Sequence, residues 1–150
     1  MRERSEKWSG PIVDNHFHLN RSGRFLEAAK DFKNAGGTGL VLVHCPDFKN
    51  PPTTKLGHRE SYQDTINMAQ SVRSELGLDV RVVLGPHPAA FAHQFINWVS
   101  NEGQKGSQKA IENYRSSIDE AVKFYHEGQA HAIGEVGRPH WEVSDEIWDL

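Results

Sequence analysis

Two histidines, His16 and His18, stand one residue apart in the segment PIVDNHFH. Side chains two positions apart on an extended chain point to the same side, so a strand here would present both imidazoles together. Neutral imidazole nitrogen is the commonest protein ligand for a divalent metal, although a lone His-x-His also occurs incidentally on surfaces. We therefore expect a chelating pair on a buried strand, with Ile12 and Val13 in a core and Asp14 orienting an imidazole.

A single carboxylate, Glu135, lies between glycines in the segment AIGEVG. Gly134 and Gly137 would let the backbone approach a site closely, and a carboxylate at the end of a strand can bridge two cations. Two imidazoles and a bridging carboxylate are the beginning of a two-metal hydrolytic centre. Metals in such a centre lower the pKa of a water molecule and polarise the bond that is cleaved.

A third histidine, His87, lies between two prolines in the segment LGPHP. The prolines predict a rigid turn that leaves the imidazole exposed at the end of a strand. In that position His87 would hold a substrate oxygen or phosphate, or serve as a further metal ligand. The alternative is a rigid turn in which His87 only caps the strand.

Composition indicates the class of protein. The 150 residues with an apolar fraction of 37% suit one soluble globular domain, which we divide into an arm at 1–10 and a folded region at 11–150. A net charge of -3 gives no support to nucleic-acid binding by bulk electrostatics. One cysteine, Cys45, and no long apolar run predict a cytoplasmic protein that does not bind membranes.

Strand and helix patterns alternate along the chain. Four strands are predicted, at residues 11–18, 38–43, 79–84 and 130–133. Helices are predicted from a cap at Ser22 to Gly36, at about 60–76, over a short stretch near 91–98, at 109–126, and from a cap at Ser144. This alternation favours an α/β fold with a parallel sheet, and in a closed (β/α) barrel every strand-end candidate would meet at one face. No glycine-rich dinucleotide fingerprint follows the first strand, which makes a doubly wound sheet less favoured.

Three strand-end motifs together resemble those of TatD-related metal-dependent hydrolases, in the amidohydrolase-like TIM-barrel superfamily. They are DNHFH at 14–18, LGPHP at 84–88 and AIGEVG at 132–137. The resemblance implies that His16 and His18 bind a first metal and that Glu135 bridges two metals. It implies that His87 lines the substrate pocket and that Glu135 and His87 act in catalysis. It implies zinc, magnesium or manganese as the cofactor, with two ions in the complete protein.

Two features depart from that family pattern. Arg138-Pro139-His140 follows the GE-x-G motif where the family has Leu-Asp, so Arg138 would contact an anionic substrate bidentately, and the role of His140 stays open. A whole barrel needs about 250 residues, so we expect a partial TIM barrel that contains only the first four βα units. Its open sheet edges would need the missing half of the barrel or a second copy of the chain.

These observations favour a divalent-metal-dependent hydrolase that cleaves a phosphodiester, as a DNase does, or another ester or amide. One alternative is an amidohydrolase or lactonase of the same superfamily, acting on a small molecule. An alternative of a different class is a non-catalytic barrel fragment that serves as a binding partner. We expect His44 to line a wall rather than bind metal, and Cys45 not to be a nucleophile. The remaining histidines are expected to be structural or on the surface: His58, His93, His126 and His131.

Overall fold

The computed structural model describes residues 8–137, which form a parallel sheet of four strands with helices between them. The strands are β1 (Val13–Phe17), β2 (Gly39–Val43), β3 (Asp79–Leu84) and β4 (Ala132–Ile133). They lie in the sheet in the order β1-β2-β3-β4, and each neighbouring pair is parallel. The order never reverses, so these strands contain no switch point of the doubly wound kind. The predicted parallel α/β architecture is confirmed, and the strand order is consistent with a segment of a (β/α) barrel.

Four helices connect the strands. They are α1 (Phe25–Asn34), α2 (Lys55–Ser71), α3 (Pro88–Glu102) and α4 (Gln104–His126). A π-helical turn over Val72–Leu76 continues α2 and ends at Gly77, whose φ of 65° is left-handed. Within the part of the chain that the structure describes, none of these helices has the length and apolarity needed to cross a bilayer.

The helix boundaries differ from the sequence predictions at three places. Helix α2 begins five residues earlier, because the Thr54 hydroxyl accepts a hydrogen bond from the Gly57 N–H and caps it. Gly103 alone separates α3 from α4, so most of the polar, glycine-containing stretch 101–107, which lies between the two predicted helices, is helical. Ser22 does not cap α1; the N-cap residue is Arg24, and it makes no side-chain cap.

The core lies between the central strands and the helices α2 and α4. Alternate residues of β2 and β3 are fully buried on this side of the sheet. They pack against Tyr62 and Ile66 of α2 and against Ala121 and Phe124 of α4. A second, smaller cluster of Phe91, Phe95 and Ala110 joins α3 to α4. Burial of these apolar faces fixes β2 and β3, and with them the strand ends that carry functional residues.

The first strand is not buried, and the expectation that Ile12 and Val13 lie in a core is wrong for the described residues. Val13 is 58% exposed. The reason is that, among the strands at residues 8–137, β1 is at an edge of the sheet and pairs only with β2. Thr38 secures the start of this strand, because its hydroxyl accepts from the Ile12 N–H and also lies 3.0 Å from the Ile12 carbonyl oxygen.

A buried carboxylate joins α4 to α2. Glu120 is only 1% exposed, and its oxygens lie 2.6 Å from Lys123 Nζ, 3.3 Å from an Arg59 guanidinium nitrogen and 3.7 Å from Lys55 Nζ. Burial alone would raise the pKa of Glu120, but hydrogen bonds from Lys123 and Arg59 outweigh it and lower the pKa. The ionised carboxylate therefore stabilises the packing of the two helices behind the strand ends.

Candidate metal centre

Three potential metal ligands converge at the carboxyl ends of the strands. His16 is in β1, His18 follows that strand, and Glu135 follows β4. One ligand atom from each lies within 4.8 Å of the others. In a flat sheet of four strands the two outer strands are about 14 Å apart. The ligand atoms meet because these side chains extend towards each other, because the sheet curves, or both. The sequence prediction that they share one rim agrees with this geometry.

The two imidazoles face each other through their Nε2 atoms. His16 Nε2 lies 3.0 Å from His18 Nε2 and 3.2 Å from Glu135 Oε1. Two nitrogen lone pairs at this distance repel each other unless a proton or a cation lies between them. The three groups therefore form a donor set of two nitrogens and a carboxylate, which suits a divalent transition metal.

The orientation of the His18 ring is fixed by a hydrogen bond to the main chain of β2. Its Nδ1 donates a hydrogen bond to the Val43 carbonyl oxygen at 3.0 Å. A neutral imidazole carries only one proton, so Nε2 keeps its lone pair and directs it towards His16 and Glu135. This is the usual way in which a protein orients a metal-binding histidine. Asp14 has a different role from the one predicted, because its Oδ1 accepts from the main-chain N–H of His16 at 2.9 Å.

Glu135 shows two signs of strain. Its φ of 56° makes it the one non-glycine residue with a left-handed backbone among residues 8–137. Its Oε2 is buried and has no hydrogen-bond partner in the same part of the chain. A left-handed φ and an unpaired buried oxygen each cost free energy, and such costs concentrate at functional sites. The unpaired oxygen is what a bound cation would satisfy, so the residues present fit a metal ion.

Two glycines bring β3 and β4 close together beside this carboxylate. A Cβ atom on Gly85 would lie 1.9 Å from the Gly134 carbonyl oxygen, so no other residue fits there without movement of the backbone. The Gly134 N–H donates to the Leu84 carbonyl oxygen at 3.0 Å. This close contact places Glu135 Oε1 4.0 Å from His87 Nε2.

His87 caps α3 and also faces the metal ligands. Its Nδ1 accepts from the Ala89 N–H at 3.1 Å, so the neutral ring carries its proton on Nε2. Burial lowers the pKa of His87, which keeps the ring neutral near pH 7. Nε2 is therefore a hydrogen-bond donor directed at Glu135. His87 caps the first turn of α3, whereas the alternative predicted from the sequence was a cap on the preceding strand.

His44 and Cys45 lie beside the centre but have other roles. His44 is 4% exposed, and its Nδ1 lies 2.8 Å from Thr65 Oγ1. Burial, with the nearby His58, lowers the pKa of His44 to about 3. It is a buried wall residue, as expected. Partial desolvation and the Glu135 carboxylate raise the pKa of Cys45, which argues against a reactive thiolate.

Two further side chains lie near the centre, and only Phe48 was not considered from the sequence. His58, expected to be structural, is buried in α2 and its Nε2 donates to Asn113 Oδ1 at 2.9 Å. Phe48, in the loop after β2, places its ring centroid 5.0 Å from that of His87. An aromatic residue in an otherwise polar loop directly after a strand was the available signal. Arg138 and His140 lie outside the described residues.

Replacing Glu135 by glycine is expected to stabilise the metal-free chain by at least about 1 kcal/mol, because it removes the left-handed strain and the unpaired buried oxygen. The measurement is urea unfolding in the presence of a chelator. Val136→Gly is the matched control, because the neighbouring residue has no left-handed φ and glycine should destabilise it. A destabilised Glu135→Gly variant would contradict the strain argument.

Two comparisons with known proteins give a match for this chain. The family model for TatD related DNase matches residues 13–150. An uncharacterized protein of Methanocaldococcus jannaschii, MJ1127, is 31% identical over 140 residues, which cover 92% of this chain and 46% of that protein. The chain thus spans about half the length of this relative. No solved structure matches it. The match covers all three metal-ligand candidates and His87, and the chain belongs to the TatD-related DNase family.

Proposed function

We propose that the chain supplies the metal-binding part of a divalent-cation-dependent hydrolase that cleaves phosphodiester bonds in nucleic acid. The observation that carries the proposal is the convergence of His16, His18 and Glu135 at the ends of the two edge strands, where Glu135 Oε2 has no partner among the residues that the structure describes. Membership of a family described as TatD related DNase supports the choice of reaction and substrate.

The roles of the side chains follow from their hydrogen bonds. His16, His18 and Glu135 would hold the cation, which when bound supplies an acidified water and polarises the phosphate. His87 would donate its Nε2–H to a phosphate oxygen, because its Nδ1 is already occupied by the Ala89 N–H. Its depressed pKa means that it acts as a neutral hydrogen-bond donor at neutral pH.

The donor set also bears on the cofactor. Two imidazole nitrogens suit zinc or manganese better than magnesium, which prefers oxygen ligands and retained water. Glu135 has one oxygen near His16 and a second that is buried and unpaired. A carboxylate with both oxygens available can bridge two ions, and we propose two ions for the complete protein.

The exposed edge of the sheet at β1 indicates what kind of partner the chain needs. Strand β1 has an exposed face, and it pairs only with β2 among the described strands. We propose that the other half of a longer barrel, or a second copy of the chain, covers this edge and adds ligands. Arg138, beyond the described residues, is proposed to contact an anionic substrate.

The test is a hydrolysis panel on the complete protein with zinc, manganese or magnesium. We expect turnover of a single-stranded oligonucleotide and of a small phosphodiester, and we expect no turnover of amides or lactones. His16→Ala should reduce metal-dependent turnover to background while circular dichroism stays unchanged. His126→Ala, which changes an exposed histidine at the end of α4, is the control. Unchanged turnover in His16→Ala, or turnover of amides or lactones alone, would refute the proposal.

A further inference from the structure

An exposed aromatic ring stands beside the candidate metal centre. Phe48 lies in the loop between β2 and α2, and 50% of its surface is exposed. Its ring packs edge-on against His87, with centroids 5.0 Å apart and planes at 84°. His87 in turn directs its Nε2 towards Glu135. A substrate group bound by His87 would therefore have the free surface of Phe48 as its next neighbour.

The turn that presents Phe48 is internally bonded. Asp47 Oδ1 accepts from the Lys49 N–H at 2.9 Å, and the Asp47 carbonyl oxygen accepts from the Asn50 N–H at 3.1 Å. Such an aspartate turn holds the main chain on both sides of Phe48. The ring is thus displayed by an ordered turn, so little conformational entropy is lost when a ligand packs on it.

The surroundings of Phe48 indicate the chemistry of that ligand. Lys49, the next residue, is exposed and cationic. An aromatic surface next to a cation, alongside a group that binds phosphate, is the arrangement by which proteins hold a single nucleic-acid strand. Base pairs in a duplex hide their faces, so a stacking surface requires an unpaired base.

We propose that Phe48 is a stacking platform for the unpaired nucleobase next to the phosphate held at His87. This inference rests on the proposed phosphodiesterase function and adds a specificity-determining residue to it. Every base has a π-face, so the platform selects single strands without selecting sequence.

The experiment measures binding of two fluorescent oligonucleotides of equal length, one of thymidylates and one of abasic sites, to the 150-residue chain in chelator. Phe48→Leu is expected to weaken thymidylate binding about five- to a hundredfold, the range for loss of one stacked base. Phe48→Trp should retain it. Abasic binding should change in neither variant, because only the phosphates remain to be bound.

Tyr125→Leu is the matched control, because Tyr125 on α4 is 49% exposed and makes its ring contact with His126, away from the centre. Equal thymidylate affinity in the wild type and Phe48→Leu would overturn the inference, and so would an equal loss on the abasic strand or no binding at all. The hydrolysis panel tests the proposed function independently of this binding experiment. Base-dependent binding without metal-dependent turnover would uphold the stacking role of Phe48 and refute the phosphodiesterase.

Discussion

Replacing His18 by alanine is expected to remove most of the stabilisation that a divalent cation gives this chain. Zinc at a hundred times its dissociation constant should raise the free energy of unfolding of the wild type by about 2.7 kcal/mol. Loss of one ligand in three should weaken binding by at least about a hundredfold, since loss of a supporting group alone costs 10–100-fold. The gain at the same zinc concentration then falls below about 0.5 kcal/mol.

The structure explains why substitution of His18 is the most informative test among the three ligands. Its Nδ1 is bonded to the Val43 carbonyl, so its Nε2 lone pair is already directed at His16 and Glu135. Thermal unfolding with and without zinc, and calorimetric titration, would measure the effect. His126→Ala should behave as the wild type. A His18→Ala variant that zinc still stabilises fully would show that the cation binds elsewhere.

Acidification is expected to destabilise the fold by about 2 kcal/mol between pH 7.5 and pH 5 through His44 alone. Burial lowers the pKa of His44 from 6.5 to about 3 in the folded chain. Between these two values the unfolded chain binds a proton that the folded chain does not, so stability falls as the pH falls. Burial also lowers the pKa of His58, which adds to the loss in the same direction.

Urea unfolding at several pH values checks this expectation. His44→Gln removes the titrating group and keeps a side chain that can bond Thr65, so the free energy of unfolding should depend less on pH. The measurement should stay above pH 5, so that Glu120 does not contribute. The pKa of Glu120 is lowered in the folded chain, so its protonation favours unfolding. This loss of stability begins only below the ordinary pKa of 4.5. A pH dependence equal in the wild type and His44→Gln would contradict the assignment.

The parallel sheet could be predicted because strand and helix patterns alternate along the chain. Strand β3 has exposed residues at Asp79 and Arg81, but the apolar run of β2 is nearly continuous. A strand buried on both faces has such a composition whatever its neighbours are. The exposure of β1 could not be predicted, because Val13 looks equally apolar in an edge strand and in a central strand. The start of α2 was missed because its first turn contains Gly57, which interrupts the apolar spacing, although Thr54 is a good capping residue.

The residues of the candidate centre could be predicted from the sequence, but their tautomers and backbone conformation could not. The positions of His16, His18 and Glu135 at strand ends follow from local patterns, since parallel strands bring their carboxyl ends to one edge. The tautomers of His18 and His87 depend on contacts with Val43 and Ala89 that only the folded chain reveals. The left-handed backbone of Glu135 was also hidden, because glycine and not glutamate normally marks such a position.

The reach of the three ligands across the sheet has a consequence for folding. His16 lies in β1 and Glu135 follows β4, so the two residues are near opposite ends of the described chain and at its two outermost strands. A cation held by both would act as a cross-link that closes a loop containing nearly the whole domain. The entropy cost of closing a loop in the unfolded chain grows with the length of the loop. A cation that joins residues 16 and 135 therefore restrains the unfolded chain more than one that joins residues close in sequence. Metal supply and the persistence of the fold would then be coupled through one ion.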